Sequence, residues 1–104
     1  MPKNQERKTL AYLAVISEKY DIEAEELLHC LTEAWTRQEC RCRELTATCR
    51  GRAAGSATFL LTFDRNIVAQ IAVPEEILQF PERAARRVEY FIGKEQIRPF
   101  RGRN

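Results

Sequence analysis

The sequence predicts an α+β fold in the order α-α-β-β-β-α, with helices packed on one face of a three-stranded antiparallel meander. Two observations support it. Residues 56–73 contain two runs rich in β-branched and aromatic residues around Asp64-Arg65-Asn66, whose residue types favour a turn. On both sides of this hairpin, apolar residues recur at helical spacing. The 104 residues, 44% hydrophobic and 31% charged, are typical of one globular domain.

The hairpin has a predicted register if Asp64-Arg65-Asn66 is its loop. The pairs are then Phe63 with Ile67, Leu61 with Ala69, Phe59 with Ile71, and Ala57 with Val73. Because side chains alternate along a strand, all eight fall on one apolar face. The other face is mixed and carries Thr58, Leu60, Thr62, Val68, Gln70 and Ala72. This pattern is typical of an antiparallel sheet covered on one side only.

The chain divides into four predicted segments. They are a helical pair over 4–38, the antiparallel meander over 41–73, a C-terminal helical segment over 74–92, and a basic tail over 93–104. Asp21 is the predicted N-cap of the second helix, since acidic residues follow it where the helix dipole favours them. Residues 41–50 alternate as one strand. The last helix is predicted to end at Gly93 and the tail to be extended.

Four cysteines and one histidine supply enough ligands for a tetrahedral zinc site. They are His29, Cys30, Cys40, Cys42 and Cys49. Their spacing lacks the paired two-residue gaps of zinc ribbons. A single strand over 41–50 would also point Cys40 and Cys42 outward and Cys49 inward. The sequence therefore predicts no metal, no cofactor and reduced thiols, with Cys30 and Cys49 as small buried apolar residues.

Catalytic patterns are weak in this sequence. His29 and Cys30 are neighbours on a helix and point about 100° apart, so they do not form a dyad. Neither serine, Ser17 or Ser56, lies in a nucleophile elbow, and the sequence has no phosphate-binding glycine loop. The sequence therefore predicts a non-enzymatic protein with no small-molecule substrate.

The basic residues favour a small nucleic-acid-binding or regulatory protein that acts through an Arg-rich C-terminal helix and tail, with DNA or RNA as the partner. Thirteen of the 17 basic residues are arginine, which favours bidentate contacts with carboxylates or phosphates. An exposed stripe on the last helix is predicted from i, i+4 and i+7 spacing, and the tail combines arginines with an aromatic ring suited to base stacking. The predicted contacts are Arg83, Arg87 and Tyr90 in the stripe, and Arg98, Phe100, Arg101 and Arg103 in the tail. Further positive charge lies at one end of the first strand, at Arg41, Arg43, Arg50 and Arg52.

The alternative is a protein-interaction module that forms a homodimer through the open sheet face. Leu60, Val68 and Ala72 leave an apolar strip there, beside an unprotected edge strand. A contiguous patch of arginines would favour nucleic-acid binding, and arginines scattered in pairs with glutamates would favour the homodimer. The apolar run at residues 10–16 has the minimum length of a signal peptide, but no cleavage site follows it and polar residues interrupt it. No run approaches membrane-spanning length, so we expect a cytoplasmic protein.

Overall fold

A computed structural model describes the backbone of residues 2–103 and the side chains of residues 5–92. In chain order the elements are α1 (Pro2–Lys19), α2 (Ala24–Arg37), β1 (Glu39–Cys42), β2 (Leu45–Ala53), β3 (Ser56–Phe63), β4 (Asn66–Pro74), α3 (Glu75–Gln79) and α4 (Pro81–Arg103). The α+β class is confirmed, but the meander has four strands instead of three. No helix in the described part of the chain is long and apolar enough to cross a membrane.

The additional strand arises because the chain reverses at Arg43-Glu44. Arg43 has a φ of 57°, which allows a two-residue connection between β1 and β2. Cys40 therefore pairs with Ala47 and Cys42 with Leu45, and the sheet order is β1-β2-β3-β4. The prediction of one strand over 41–50 was wrong, since neither turn residue is the Gly, Asn or Asp that usually marks such a turn.

The central hairpin matches the predicted register except next to its turn. The pairs Leu61–Ala69, Phe59–Ile71 and Ala57–Val73 are confirmed. The turn holds two residues, not three, because Asp64 and Arg65 both have positive φ, as in the type I′ turns that match strand twist. An irregularity at Leu61/Thr62 then pairs Thr62 with Ile67. Ile67 is 74% exposed, so its predicted pairing with Phe63 on the apolar face was wrong.

Asp21 ends α1 instead of capping α2. Its φ is 54°, its N–H donates to Glu18 O, and the Ile22 N–H donates to Ser17 O at 2.9 Å. These two hydrogen bonds form a Schellman arrangement, in which a left-handed residue follows the helix. The N-cap of α2 is Glu23, whose side chain makes no capping hydrogen bond. The predicted N-cap at Asp21 was therefore wrong.

The core lies between the helices and one face of the sheet. Its largest fully buried side chains are Leu10, Leu13, Leu27, Leu28, Leu31, Leu45, Phe59, Leu61, Val73, Ile77, Leu78 and Val88. α4 packs against both α1 and α2, through the small buried residues Ala84 and Ala85, more extensively than α1 and α2 pack on each other. Side chains on the opposite face of the sheet are half-buried or exposed.

The backbone of α4 is helical to Arg103. The helix end predicted at Gly93 and the extended tail were therefore wrong. One glycine inside a helix costs only about 1 kcal/mol relative to alanine, and the Lys94, Glu95 and Gln96 that follow it are good helix formers.

Candidate nucleic-acid interface

The predicted stripe on α4 lies beside acidic residues of other elements. The Arg87 Nη1 is 3.3 Å from Glu6 Oε2 on α1. The Arg83 guanidinium carbon is 5.6 Å from the centroid of the Phe80 ring. Both arginines line a cavity of about 180 Å³, together with Glu6 and Glu76. Two arginines thus share this surface with two glutamates, and its net charge is close to zero.

Of the other predicted contacts on α4 and in the tail, the structure describes only the side chain of Tyr90. Tyr90 is 63% exposed, and its ring lies 6.0 Å from that of Phe91 in an edge-to-face arrangement. The side chains of the predicted tail contacts, Arg98, Phe100, Arg101 and Arg103, lie outside the described residues.

A second group of arginines meets where α2 ends and β2 passes it. We call it the basic corner and define it as Arg37, Arg50 and Arg52. Two backbone features bring these residues together. Gln38, with a φ of 80°, ends α2, and its carbonyl accepts a hydrogen bond from the Cys49 N–H at 2.7 Å. The pairing of β2 with β3 shifts between Cys49 and Gly51, which leaves Arg50 as an extra residue in the strand.

Arg52 is the most firmly held residue of the basic corner. Its Nη2 donates a hydrogen bond to the Trp35 carbonyl oxygen, in the last turn of α2. Its guanidinium carbon lies 5.6 Å from the centroid of the Trp35 ring, within cation–π range. The guanidinium thus satisfies a carbonyl that the end of the helix leaves without an intrahelical partner. These two contacts fix the position of the charged group.

The basic corner surrounds a cavity of about 420 Å³. Its lining residues are Thr36, Arg37, Gln38, Cys49, Arg50, Gly51 and Arg52, so no Asp or Glu of residues 5–92 is among them. One acidic side chain reaches the basic corner as an ion pair: Glu33 Oε1 is 3.3 Å from Arg37 Nε in an exposed i, i+4 pair. Such pairs stabilise helices by only a few tenths of a kcal/mol. The cavity is therefore suited to an anion, and arginine favours phosphate geometry.

Sequence reasoning found only part of the basic corner. It grouped Arg50 and Arg52 with Arg41 and Arg43, which the structure places elsewhere. Arg41 pairs with Thr46 on the open face of the sheet, and Arg43 Nη2 is 3.5 Å from Glu26 Oε1. Sequence reasoning did not single out Arg37, because nothing in the spacing places the end of α2 beside the irregular part of β2.

The cysteines cluster on the core face of the sheet. Cys40 and Cys42 share that face with Cys49, since their pairing partners are the buried Ala47 and Leu45. The predicted outward orientation of these two cysteines was wrong, for the same reason as the single strand. The Cys30 Sγ donates a hydrogen bond to Cys40 O at 3.4 Å.

Two of the thiols, those of Cys30 and Cys42, have raised pKa values and so favour their protonated form. Burial, followed by the neighbouring Cys40, raises the pKa of Cys30 far above its usual range. Burial, followed by the Glu26 carboxylate, raises the pKa of Cys42. Within residues 5–92, no group of three or more His, Cys, Asp or Glu side chains is arranged to hold a metal ion. His29 is exposed on α2, with Nε2 at 4.0 Å from Glu33 Oε2.

The open face of the sheet differs from its predicted form at one position. Leu60 is half-buried opposite Gln70, and Ala72 is exposed opposite Thr58, so both lie on this face. Val68 is the extra residue at the irregular part of β4 and packs against the core. Ile67 takes its place as the apolar residue of the open face.

Comparisons with protein families, with curated proteins and with solved structures found no match.

Proposed function

We propose that the protein is a small non-enzymatic nucleic-acid-binding protein that contacts the phosphate backbone through the basic corner. One observation carries this proposal: three arginines line one cavity, and none of its described lining residues is acidic. Guanidinium groups bind phosphate oxygens through paired N–H donors, and phosphate contacts supply most of the affinity in non-specific nucleic-acid binding.

The C-terminal helix and tail form a second contact surface in this proposal. Arg83, Arg87 and Tyr90 lie on α4, and the sequence continues with arginines and Phe100. The nearby glutamates, Glu6 and Glu76, make α4 the weaker of the two contacts. We place the protein in the cytoplasm, which agrees with four free thiols.

The test is a titration of labelled DNA and RNA at several salt concentrations between about 50 and 200 mM. Two phosphates contacted on a single strand give a slope of about −1.4 in log affinity against log salt, and three on a duplex give about −2.7. If Arg98, Arg101 and Arg103 in the tail also contact phosphate, they add about two to three units to this slope, and replacing all three with alanine removes that addition. Absence of binding at the lowest salt concentration would overturn the proposal.

A homodimer formed through the open sheet face is the second candidate function. The observation that favours it is the exposure of Ile67 beside the half-buried Leu60 on that face. A sedimentation experiment tests it with Leu60→Asp and Ile67→Asp, each expected to convert a dimer to a monomer. Gln70→Glu is the control, since it adds a charge to the same face without removing apolar surface. A monomeric unmodified protein would exclude this candidate.

A further inference from the structure

We propose that the basic corner binds an unpaired nucleotide, with its phosphate between Arg37 and Arg50 and its base stacked on the Arg52 guanidinium. The protein then prefers single-stranded nucleic acid to a duplex. This inference rests on the proposed function and adds the class of ligand that the cavity accepts.

Arg52 is suited to stacking because its guanidinium is held in place. One side lies over the Trp35 ring, and the Trp35 carbonyl oxygen accepts its N–H. The residue is nevertheless exposed, so the side away from the ring is accessible to a ligand. Proteins that read unpaired bases stack them on aromatic rings or on arginine planes of this kind.

The two remaining arginines are suited to the phosphate. Arg37 and Arg50 are both exposed and line the same cavity as Arg52. Arg37 forms a solvent-exposed ion pair with Glu33, which a phosphate can displace or share. Gly51 leaves the backbone between Arg50 and Arg52 uncovered, and even an added Cβ there would meet nothing within 4 Å. A phosphate can therefore approach both guanidinium groups.

The shape of the cavity explains the preference for a single strand. Its volume of about 420 Å³ is in the range of small-ligand pockets, which run from about 300 to 1,000 Å³. A base inside a duplex has both faces covered by its neighbours, so it cannot stack on Arg52. An unpaired nucleotide has a free base face and can place its phosphate and its base in one cavity.

The first experiment compares a labelled single strand with the duplex of the same sequence. We expect the unmodified protein to bind the single strand about 5-fold or more tightly, the lower bound for one base stacked on a side chain. Arg52→Lys keeps the charge and removes the plane, so it should abolish this preference by weakening single-strand binding more than duplex binding. Arg50→Lys is the matched control and should weaken both ligands without changing their ratio.

The second experiment needs no variant and remains decisive if Arg52→Lys does not fold. A nucleoside monophosphate and ribose 5-phosphate carry the same phosphate, and only the former has a base. We expect the nucleoside monophosphate to displace the labelled single strand at a concentration at least about 5-fold lower than the concentration of ribose 5-phosphate that is needed. Equal competition, or equal binding of single strand and duplex, would overturn the inference and leave the proposed function standing. No binding of either nucleic acid would overturn both.

Discussion

The α4 stripe and the basic corner contain similar residues in different surroundings. Arg83 and Arg87 share their surface with Glu6 and Glu76, which come from α1 and α3. The cavity lining of the basic corner that the structure describes contains no Asp or Glu, and its ion pair joins Arg37 to Glu33 of the same helix. Helical spacing shows which arginines share a face, but acidic residues from other elements decide the charge of that face. The arginines of the α4 stripe have the more regular spacing in the sequence, and they are also the ones whose charge the neighbouring glutamates neutralise more.

The largest expected effect tests the packing beneath the basic corner. Phe59 is fully buried and pairs with Cys49, the residue before Arg50. Phe59→Ala should lower the free energy of unfolding by about 3–5 kcal/mol, because it leaves a cavity in the core. Thr62→Ala, on the open face of the same strand, should change it little. Urea unfolding of both variants measures the difference, and comparable losses would contradict the assigned faces.

The second prediction concerns the thiols packed between α2 and β1, which have no counterpart near the α4 stripe. Cys30 and Cys42 have raised pKa values in the folded protein, so they stay protonated where unfolded thiols ionise. Stability should therefore be fully present below about pH 8.5 and fall as the pH rises, by at most about 1.4 kcal/mol per pH unit for each thiol. Unfolding experiments at neutral and alkaline pH measure this slope. Cys30→Ala should make it shallower, and an unchanged slope would contradict the assignment.

Arg52 and Arg83 form a matched pair for the third prediction. Each guanidinium carbon lies 5.6 Å from an aromatic centroid, but only Arg52 also donates to a helix-end carbonyl. Arg52→Ala should cost about 1–2 kcal/mol of stability and Arg83→Ala about 0.5–1 kcal/mol or less. Thermal unfolding compares the two. A larger loss at Arg83 would show that the α4 stripe is the better-held surface.

The smallest effect on stability is expected when Glu6 is neutralised. Glu6→Gln removes a partly exposed ion pair and should cost well under 1 kcal/mol. It should also release Arg87 for phosphate, steepening the salt dependence of binding by up to about 0.9 units. Glu25→Gln, an exposed change in the first turn of α2, is the control. Equal slopes for the two variants would show that Glu6 does not neutralise the stripe.

Much of the fold follows from local sequence patterns. The helices, the α+β class and the central hairpin from Leu61–Ala69 to Ala57–Val73 were predictable, because their signals lie within short segments. Three of the errors occur where a residue other than glycine has a positive φ. Arg43 and Arg65 have it in turns, and Asp21 has it after α1. The Asp21 side chain would fit an N-cap equally well, so the sequence alone could not show whether this residue ends α1 or caps α2.

Less of the candidate site was predictable. Arg50 and Arg52 were noted as basic residues, but their partner Arg37 comes from another element and depends on how α2 ends. The cluster of Cys30, Cys40 and Cys42 was missed because it depends on the turn at Arg43. Both groups form through tertiary contacts, which periodicity along a single element does not reveal.

The most direct test of the central claim compares two double variants that remove the same charge. Arg37→Ala/Arg50→Ala acts on the basic corner, and Arg83→Ala/Arg87→Ala acts on the α4 stripe. The measurement is the salt dependence of binding to a labelled single strand. We expect the corner variant to flatten the slope by about 0.7 units, since Arg37 and Arg50 hold the same phosphate, and the stripe variant to flatten it by clearly less, since Glu6 and Glu76 neutralise that surface. An equal or larger change in the stripe variant would contradict the claim that the basic corner carries the phosphate contact.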